Sequence, residues 1–443
     1  MLGKDQAKAL SDKTLAMARA DELHVTITGG SHVNFRFARN SPSTSGNVDE
    51  LDIGIRAVFG KRSGSVSVNQ TDDATLQTAV RRAEEIARLA PEDPELMPAL
   101  PPQRYATIDA AWDETTAAQG GEKIAAGAAR CIDEAVRRDL VAAGYTDVRA
   151  GFQTIANSKG LFGWHRATSA YVSETARTRD GSGSGWASSG ARAIDRVDYA
   201  GVAAGAAAKA LASAKPRPLP PGRYPAILEP ACVANLLQLL FFAMDRRSAD
   251  EGRSFFSRAG GGNRIGERLF GERTHIWSDP SDPDVPGSPW ADDGLPQERR
   301  EWIEGGKVRS LRTDRYWADK SGVAPVPGPA NILMAGGKGS VAELIASADR
   351  AVLVTSFWYI RLLDPRTISF TGLTRDGVFW VEKGKIQHPV TNFRWNESPI
   401  AVLKNTLAMS APVLAPPRPD RTPHRVPALL VKDFTFSSVS DAV

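Results

Sequence analysis

Residues 221–253 read PGRYPAILEPACVANLLQLLFFAMDRRSADEGR. Tyr224 to Leu228 is an apolar run of strand length, Glu229-Pro230 breaks it, and Cys232 to Met244 is an almost unbroken apolar run of helical length. A helix that is apolar nearly all round is buried on most sides. This strand, turn and helix are therefore expected at the centre of a domain. Asn235 and Gln238 interrupt the run and Asp245-Arg246-Arg247 ends it, which excludes a membrane span. Just upstream, KPRPLPPGRYP (215–225) has five prolines in eleven residues and marks a domain boundary. The chain thus divides into an N-terminal domain, residues 1–215, and a C-terminal domain, residues 222–443.

Working outward, the N-terminal half alternates hairpin and helix signals. MLGKDQAKALSDKTLAMARA spreads its charges and has no apolar core segment, so it reads as an amphipathic first helix and not an export signal; cytoplasmic residence is the expectation. In LHVTITGGSHVNFRFARN (23–40), alternating residues flank Gly29-Gly30, which predicts a hairpin turning there. A second hairpin is expected over 51–70 with its turn in Gly60 to Gly64. Thr71 or Asp72 then caps a helix over 74–90, in which Leu76, Val80, Ile86 and Leu89 recur at helical spacing. Further helices are expected over 121–143 and 199–214, with strands over 148–189 between them. DGSGSGWASSG (180–190) reads as a loop. Past the boundary, a polar stretch to about residue 300 leads into a strand-rich region that ends on VPALLVKDFTFSS. The fold class is two-domain α+β, the second domain mainly antiparallel sheet around the apolar helix.

The 443 residues, 42% of them hydrophobic, suffice for two or three full cores. Fifty-five basic against 51 acidic side chains leave a net charge of +4, too balanced to imply a nucleic-acid partner. Cys131 and Cys232 lie in apolar contexts without C-x-x-C spacing and read as buried thiols.

Six histidines (24, 32, 165, 275, 388 and 424) offer no local chelate, since His24 and His32 are expected on opposite sides of a hairpin turn. Asp279, Asp282, Asp284, Asp292 and Asp293 have the oxygens for a hard cation, but beside Pro and Gly such residues build turns, and that reading is preferred. Gly336 to Glu343 looks like an anion loop; its Ser340/Glu343 spacing is a capping box and accounts for it without a ligand. Gly181-Ser182-Gly183-Ser184-Gly185 has the letters of a nucleophile elbow without the strand-turn-helix context. Aromatics with arginines in SFWYIRLLD (356–364) and NFRWNES (392–398) single out Trp358, Tyr359, Arg361, Arg394 and Trp395 as candidates for a groove that holds extended peptide. Ordinary packing of strand core and rim is the competing reading.

Residues 221–253 resemble the strand, turn and helix of the TldD/PmbA family, the "modulator of DNA gyrase" proteins, whose active subunit carries H-E-x-x-x-H on this helix. Similar segments follow in order: Ser278-Asp279-Pro280, PWADDGLP (289–296), IEGGKVRSLRTDRYWA (303–318) and VFWVEKGKIQHPV (378–390). The N-terminal half matches in pattern, as in TDDATLQTAVRRAEEIARLAPEDPEL (71–96). Aligned on Leu236-Leu237, the family's histidines fall on Gln238 and Ala243 and its glutamate on Leu239, while its third ligand, a cysteine, corresponds to about Thr374-Arg375. A catalytic zinc needs three protein ligands and an open position, and none of these residues meets that need. The resemblance is closer to the PmbA (TldE) branch. It implies no metal and no catalytic residue in this chain, zinc in a TldD-like partner subunit, and an unfolded peptide as substrate; whether the chain alone forms a homodimer stays open. Residues five apart on an ideal helix point about 140° apart, so the active version needs a local distortion that this chain has less reason to keep. Two alternatives stay open. One is a stand-alone hydrolase using Glu229, Glu251 or Asp292-Asp293; the other is a peptide-binding scaffold without catalysis.

Overall fold

Six strands between residues 22 and 191 form one antiparallel sheet: β1 (Glu22–Ala38), β2 (Ser41–Phe59), β3 (Arg62–Val68), β4 (Leu140–Asn157), β5 (Phe162–Thr178) and β6 (Ser184–Ala191), in the order β3-β2-β1-β4-β5-β6. The computed structural model describes residues 1–418 and 422–440. Side chains alternate across a strand, and β1 shows what that does here. Leu23, Val25 and Ile27 are buried with Leu76 and Val80 of one helix, and Val33 and Phe37 with Ile124, Ala128 and Val202 of two others. The intervening His24, Thr26, Thr28, His32, Asn34 and Arg36 belong to the opposite face. The helices on the apolar face are α1 (Lys4–Leu15), α2 (Asp73–Leu89), α4 (Gly121–Arg137) and α5 (Tyr199–Ala212), with the single turn α3 (Glu114–Ala117) before α4. Asp72 caps α2 by accepting from Thr75 N at 2.9 Å.

Three expectations are corrected. Gly29-Gly30 is no turn: β1 runs straight through it, and the hairpin to β2 turns at Arg39 and Asn40, both left-handed with φ of 52° and 61°. Gly30 has φ 152°, and a Cβ there would overlap the carbonyl of Ala150 on the adjacent strand, so glycine serves a close backbone approach. His24 and His32 accordingly share one face of one strand. The glycine-serine run is likewise only partly loop, because Ser184–Ala191 is β6 and Gly185 lets the α5 backbone lie against it. The helix expected over 121–143 ends at Arg137, and β4 begins at Leu140.

The C-terminal part carries β7 (Gly222–Leu228), β8 (Ile276–Ser278), β9 (Arg300–Glu304), β10 (Lys307–Val308), β11 (Leu333–Met334), β12 (Arg350–Asp364), β13 (Ser369–Glu382), β14 (Lys385–Pro389), β15 (Phe393–Glu397), β16 (Thr406–Met409), β17 (Val413–Ala415), β18 (His424–Val426) and β19 (Leu429–Val439). One sheet has the order β10-β9-β8-β11-β18-β17. In the other, pairings run β12-β7-β19-β15-β13 and return to β12, closing a ring with β14 and β16 attached. The apolar helix, α6 (Pro230–Ala243), opens with proline at its first position, where the missing N–H is not needed. It packs on β12, β17 and β18. Cys232 to Leu237, Leu240 and Phe241 are buried, whereas Gln238, Leu239 and Ala243 are half-buried and Phe242 is exposed. The helix therefore keeps one open side near its end, and the three motif positions lie on it.

Candidate functional site

The polar face of the long sheet is the side that meets the C-terminal part. Ser184 Oγ donates to Asp376 Oδ1 at 2.5 Å, Arg418 donates to Asp376 Oδ2 at 2.5 Å and to Thr175 Oγ1 at 2.8 Å, and Gln153 donates to Ser288 Oγ at 2.8 Å. The two parts also meet outside the strands of that face, through ion pairs Lys209 (of α5)–Glu229 and Arg247–Glu95, each at 2.6 Å, and Tyr105 donating to Gly294 O at 2.7 Å. Three cavities lie along this face. One of about 660 Å³ involves Gly29 to His32, one of about 590 Å³ involves His24, and one of about 550 Å³ involves Arg36. Cavities of this size suit small ligands or a few peptide residues.

The 550 Å³ cavity lies beside the degenerate helix motif. Gln238 Nε2 is 3.0 Å from His424 Nε2, and Asn235, one turn earlier, donates to the Arg418 carbonyl at 2.6 Å. The Arg418 guanidinium lies 4.4 Å from the Trp186 ring and 5.8 Å from the Trp358 ring, and Arg375 lies 5.9 Å from Trp358. Thr374 is fully buried, its hydroxyl accepting from Phe393 N at 2.9 Å. A zinc site needs anionic or imidazole donors converging on one point. Here the corresponding residues are a neutral amide, a methyl, an engaged hydroxyl and a guanidinium, with a second guanidinium close by, and the set does not fit zinc. Among the described residues no three His, Cys, Asp or Glu side chains form a metal-sized group.

The five groove candidates separate. Trp358 lines the 550 Å³ cavity with Arg375 and Arg418. Tyr359, exposed and with φ of 53°, carries Arg361 4.1 Å from its ring, and neither lines that cavity. Arg394 is on the outer surface, donating to Thr371 Oγ1 at 3.3 Å. Trp395 is fully buried in the strand ring, 4.6 Å from Phe357 and 5.8 Å from Phe434, so core packing removes it from any peptide groove. The acids considered as reassigned catalysts also have partners. Glu229 pairs with Lys209; Glu251 pairs with Arg247 and Arg253 at the surface; Asp293 accepts from Leu295 N at 3.1 Å in a turn. Asp292 and Asp293 do line the 590 Å³ cavity, near His24 and Arg315. Burial first, then Arg56 and Arg315, lower the His24 pKa to about 4. Asp282 accepts from the backbone of Asp284 and Val285, as a turn-building aspartate does.

Sequence reasoning passed over Arg192 and Arg418, and weighed His24 and His165 only as metal ligands. The signal for the sheet face was present, since every second residue of HVTITGGSHVNFRFA is polar or glycine until Arg36. Once Gly29-Gly30 is read as a turn, however, the two halves no longer share a face.

A two-sided sheet with helices on one face is set against a strand ring that carries a buried helix. Family profiles match throughout: PmbA/TldA metallopeptidase domain 1 over residues 25–87, the central domain over 116–214 and the C-terminal domain over 221–438. The chain belongs to the PmbA/TldD family. It is similar in structure to TldE from Thermococcus kodakarensis (TM-score 0.85, 18% identity, 97% of this chain and 99% of that one). Proteins described as modulators of DNA gyrase from Thermotoga maritima (0.83, 16%, 97% and 99%) and Bacteroides thetaiotaomicron (0.83, 20%, 99% and 100%) are similar too. At these identities the likeness speaks to the fold. Comparison with curated proteins finds no significant match.

Proposed function

We propose that this chain is the metal-free, TldE-like subunit of a heterodimeric cytoplasmic peptidase that cuts unfolded or extended peptides. A TldD-like partner supplies the zinc and the general base, and this chain supplies chamber wall and substrate contacts. One observation carries the reading: where the active subunit presents H-E-x-x-x-H, α6 presents Gln238, Leu239 and Ala243, with the Gln238 amide set against His424. The polar sheet face, with three cavities along it, supports the role of chamber wall. No helix among the described residues is long and apolar enough to cross a membrane.

The test is metal content and hydrolysis of an unstructured peptide by the purified chain, alone and mixed with a partner bearing H-E-x-x-x-H. Hydrolysis and zinc confined to the mixture are expected. Stoichiometric zinc with hydrolysis by the chain alone overturns the proposal and favours a stand-alone enzyme; peptide binding with no hydrolysis under either condition favours a scaffold.

A further inference from the structure

Arg192 follows directly on β6, where the outer edge of β5 becomes free of its last partner strand. Its guanidinium donates to Thr168 O at 3.2 Å and to Pro286 O at 2.6 Å, both neutral acceptors, and its buried Nε has no hydrogen-bond partner. No carboxylate among the described residues pairs with it. Burying a cation without a counter-charge is strongly unfavourable, so a fold that keeps one at a cavity wall invites an anion there. Beside it, His165 is almost wholly buried and neither ring nitrogen is hydrogen-bonded within the described residues. Burial, then the nearby Arg192 charge, lower its pKa to about 4. At neutral pH it is an uncharged donor and acceptor, suited to one oxygen of an anion held by the arginine.

The far side of the same 660 Å³ cavity is of opposite sign. Glu50 and Asp52 of β2 are exposed there and make no ion pair among the described residues. The sheet register gives the distance between the two ends. Asp52 is level with Thr28, Gln153 and His165, and Glu50 is level with Gly30, Gly151 and Ala167. Three strand spacings of about 4.8 Å separate β2 from β5, about 14 Å in all, which is the reach of about four extended residues. Between Glu50 and Ala167 the floor is Gly30 and Gly151, without side chains, while the next row carries Thr28 and Gln153, the latter held to Ser288 at 2.8 Å.

We propose that this cavity binds a free short peptide of about four residues, its terminal carboxylate held by Arg192 and His165 and its ammonium group directed to Glu50 and Asp52. The choice of a peptide rests on the function proposed above; the carboxylate position rests on the cavity alone.

The experiment uses the purified full chain without any partner subunit, so its outcome is independent of zinc and of hydrolysis. Isothermal titration, with Trp290 emission as a second readout because its ring lies 6.2 Å from His165, compares tetra-alanine, its C-terminal amide, its N-acetyl form and inorganic phosphate. The free tetrapeptide is expected to bind, with each blocked form weaker by about tenfold or more, and phosphate is expected not to displace the peptide at equal concentration. Arg192→Gln should abolish binding. Because that residue also ties Thr168 to Pro286, Ser169→Asp is the second variant, placing a like charge in the cavity while leaving both Arg192 bonds intact. Equal binding of acid and amide, or undiminished binding in both variants, overturns the carboxylate site. Binding of phosphate without binding of the peptide overturns the choice of ligand.

Discussion

Glu174 is an acid on the wrong face of its strand. Alternate residues of β5 beneath α4 and α5 are Ala170, Val172 and Ala176, all buried in the apolar cluster, and Glu174 lies among them, fully buried, its carboxyl oxygens facing only the weak donor of the Cys131 thiol. Burial raises its pKa from 4.5 to about 8, against a smaller opposing contribution from the Cys131 thiol. The unfolded chain ionises this group near 4.5 while the folded chain holds its proton to about pH 8, so the folded state binds more protons across that window and stability falls as pH rises through it. At about 1.4 kcal/mol per pH unit, the ceiling on the loss between pH 4.5 and 8 is about 5 kcal/mol, a large share of a typical domain's stability. His24 and His165, lowered to about 4, act in the opposite direction and only below about 6.5, where falling pH costs stability. The interval from 6.5 to 8 therefore isolates Glu174. Urea unfolding followed at several pH values should show a wild-type stability that declines over this interval, and a flatter profile in Glu174→Leu, with the variant the more stable of the two at pH 8. Parallel profiles for wild type and variant between pH 6.5 and 8 would refute the reasoning.

Two smaller perturbations test the packing. Leu240 is fully buried in the cluster around α6, so Leu240→Ala should cost about 2–5 kcal/mol, read from the urea midpoint. Gly64 of β3 has the α2 backbone at Ala83 and Ala87 against it, where an added Cβ has no flexible neighbour to displace; Gly64→Ala should destabilise by about 1–3 kcal/mol, with amide exchange quickening first along α2.

The central strand, turn and helix were legible because composition decides them: an apolar run of helical length can only be buried. The capping box at Ser340 and Glu343 was legible for a similar reason, since both partners lie within one turn of sequence, and both of its hydrogen bonds form. Glycines were where the reading failed. Gly29-Gly30 and Gly185 carry the letters of turns, yet they stand where a neighbouring backbone comes too close for a Cβ, and that neighbour is more than 20 residues away or on another strand. The candidate site was harder still. Arg418, Asp376 and Trp186 meet across intervals of 42 and more residues, so their meeting is a property of the assembled domains. Trp395 misled for the converse reason: an aromatic in a short strand looks the same in sequence whether it faces a groove or, as here, the inside of a closed ring.

The seventeen residues of β1, about 55 Å of extended chain, pass beside all three cavities, His24 at one, Gly29-Gly30 at the next, Arg36 at the third. A shift of one residue in its pairing would turn every lining group into the apolar core and every core group outward, so hydrophobic burial itself locks the spacing of the cavities. The even positions of this strand are, in consequence, a set of sites where natural variation can retune what the chamber accepts while the odd positions go on specifying the fold.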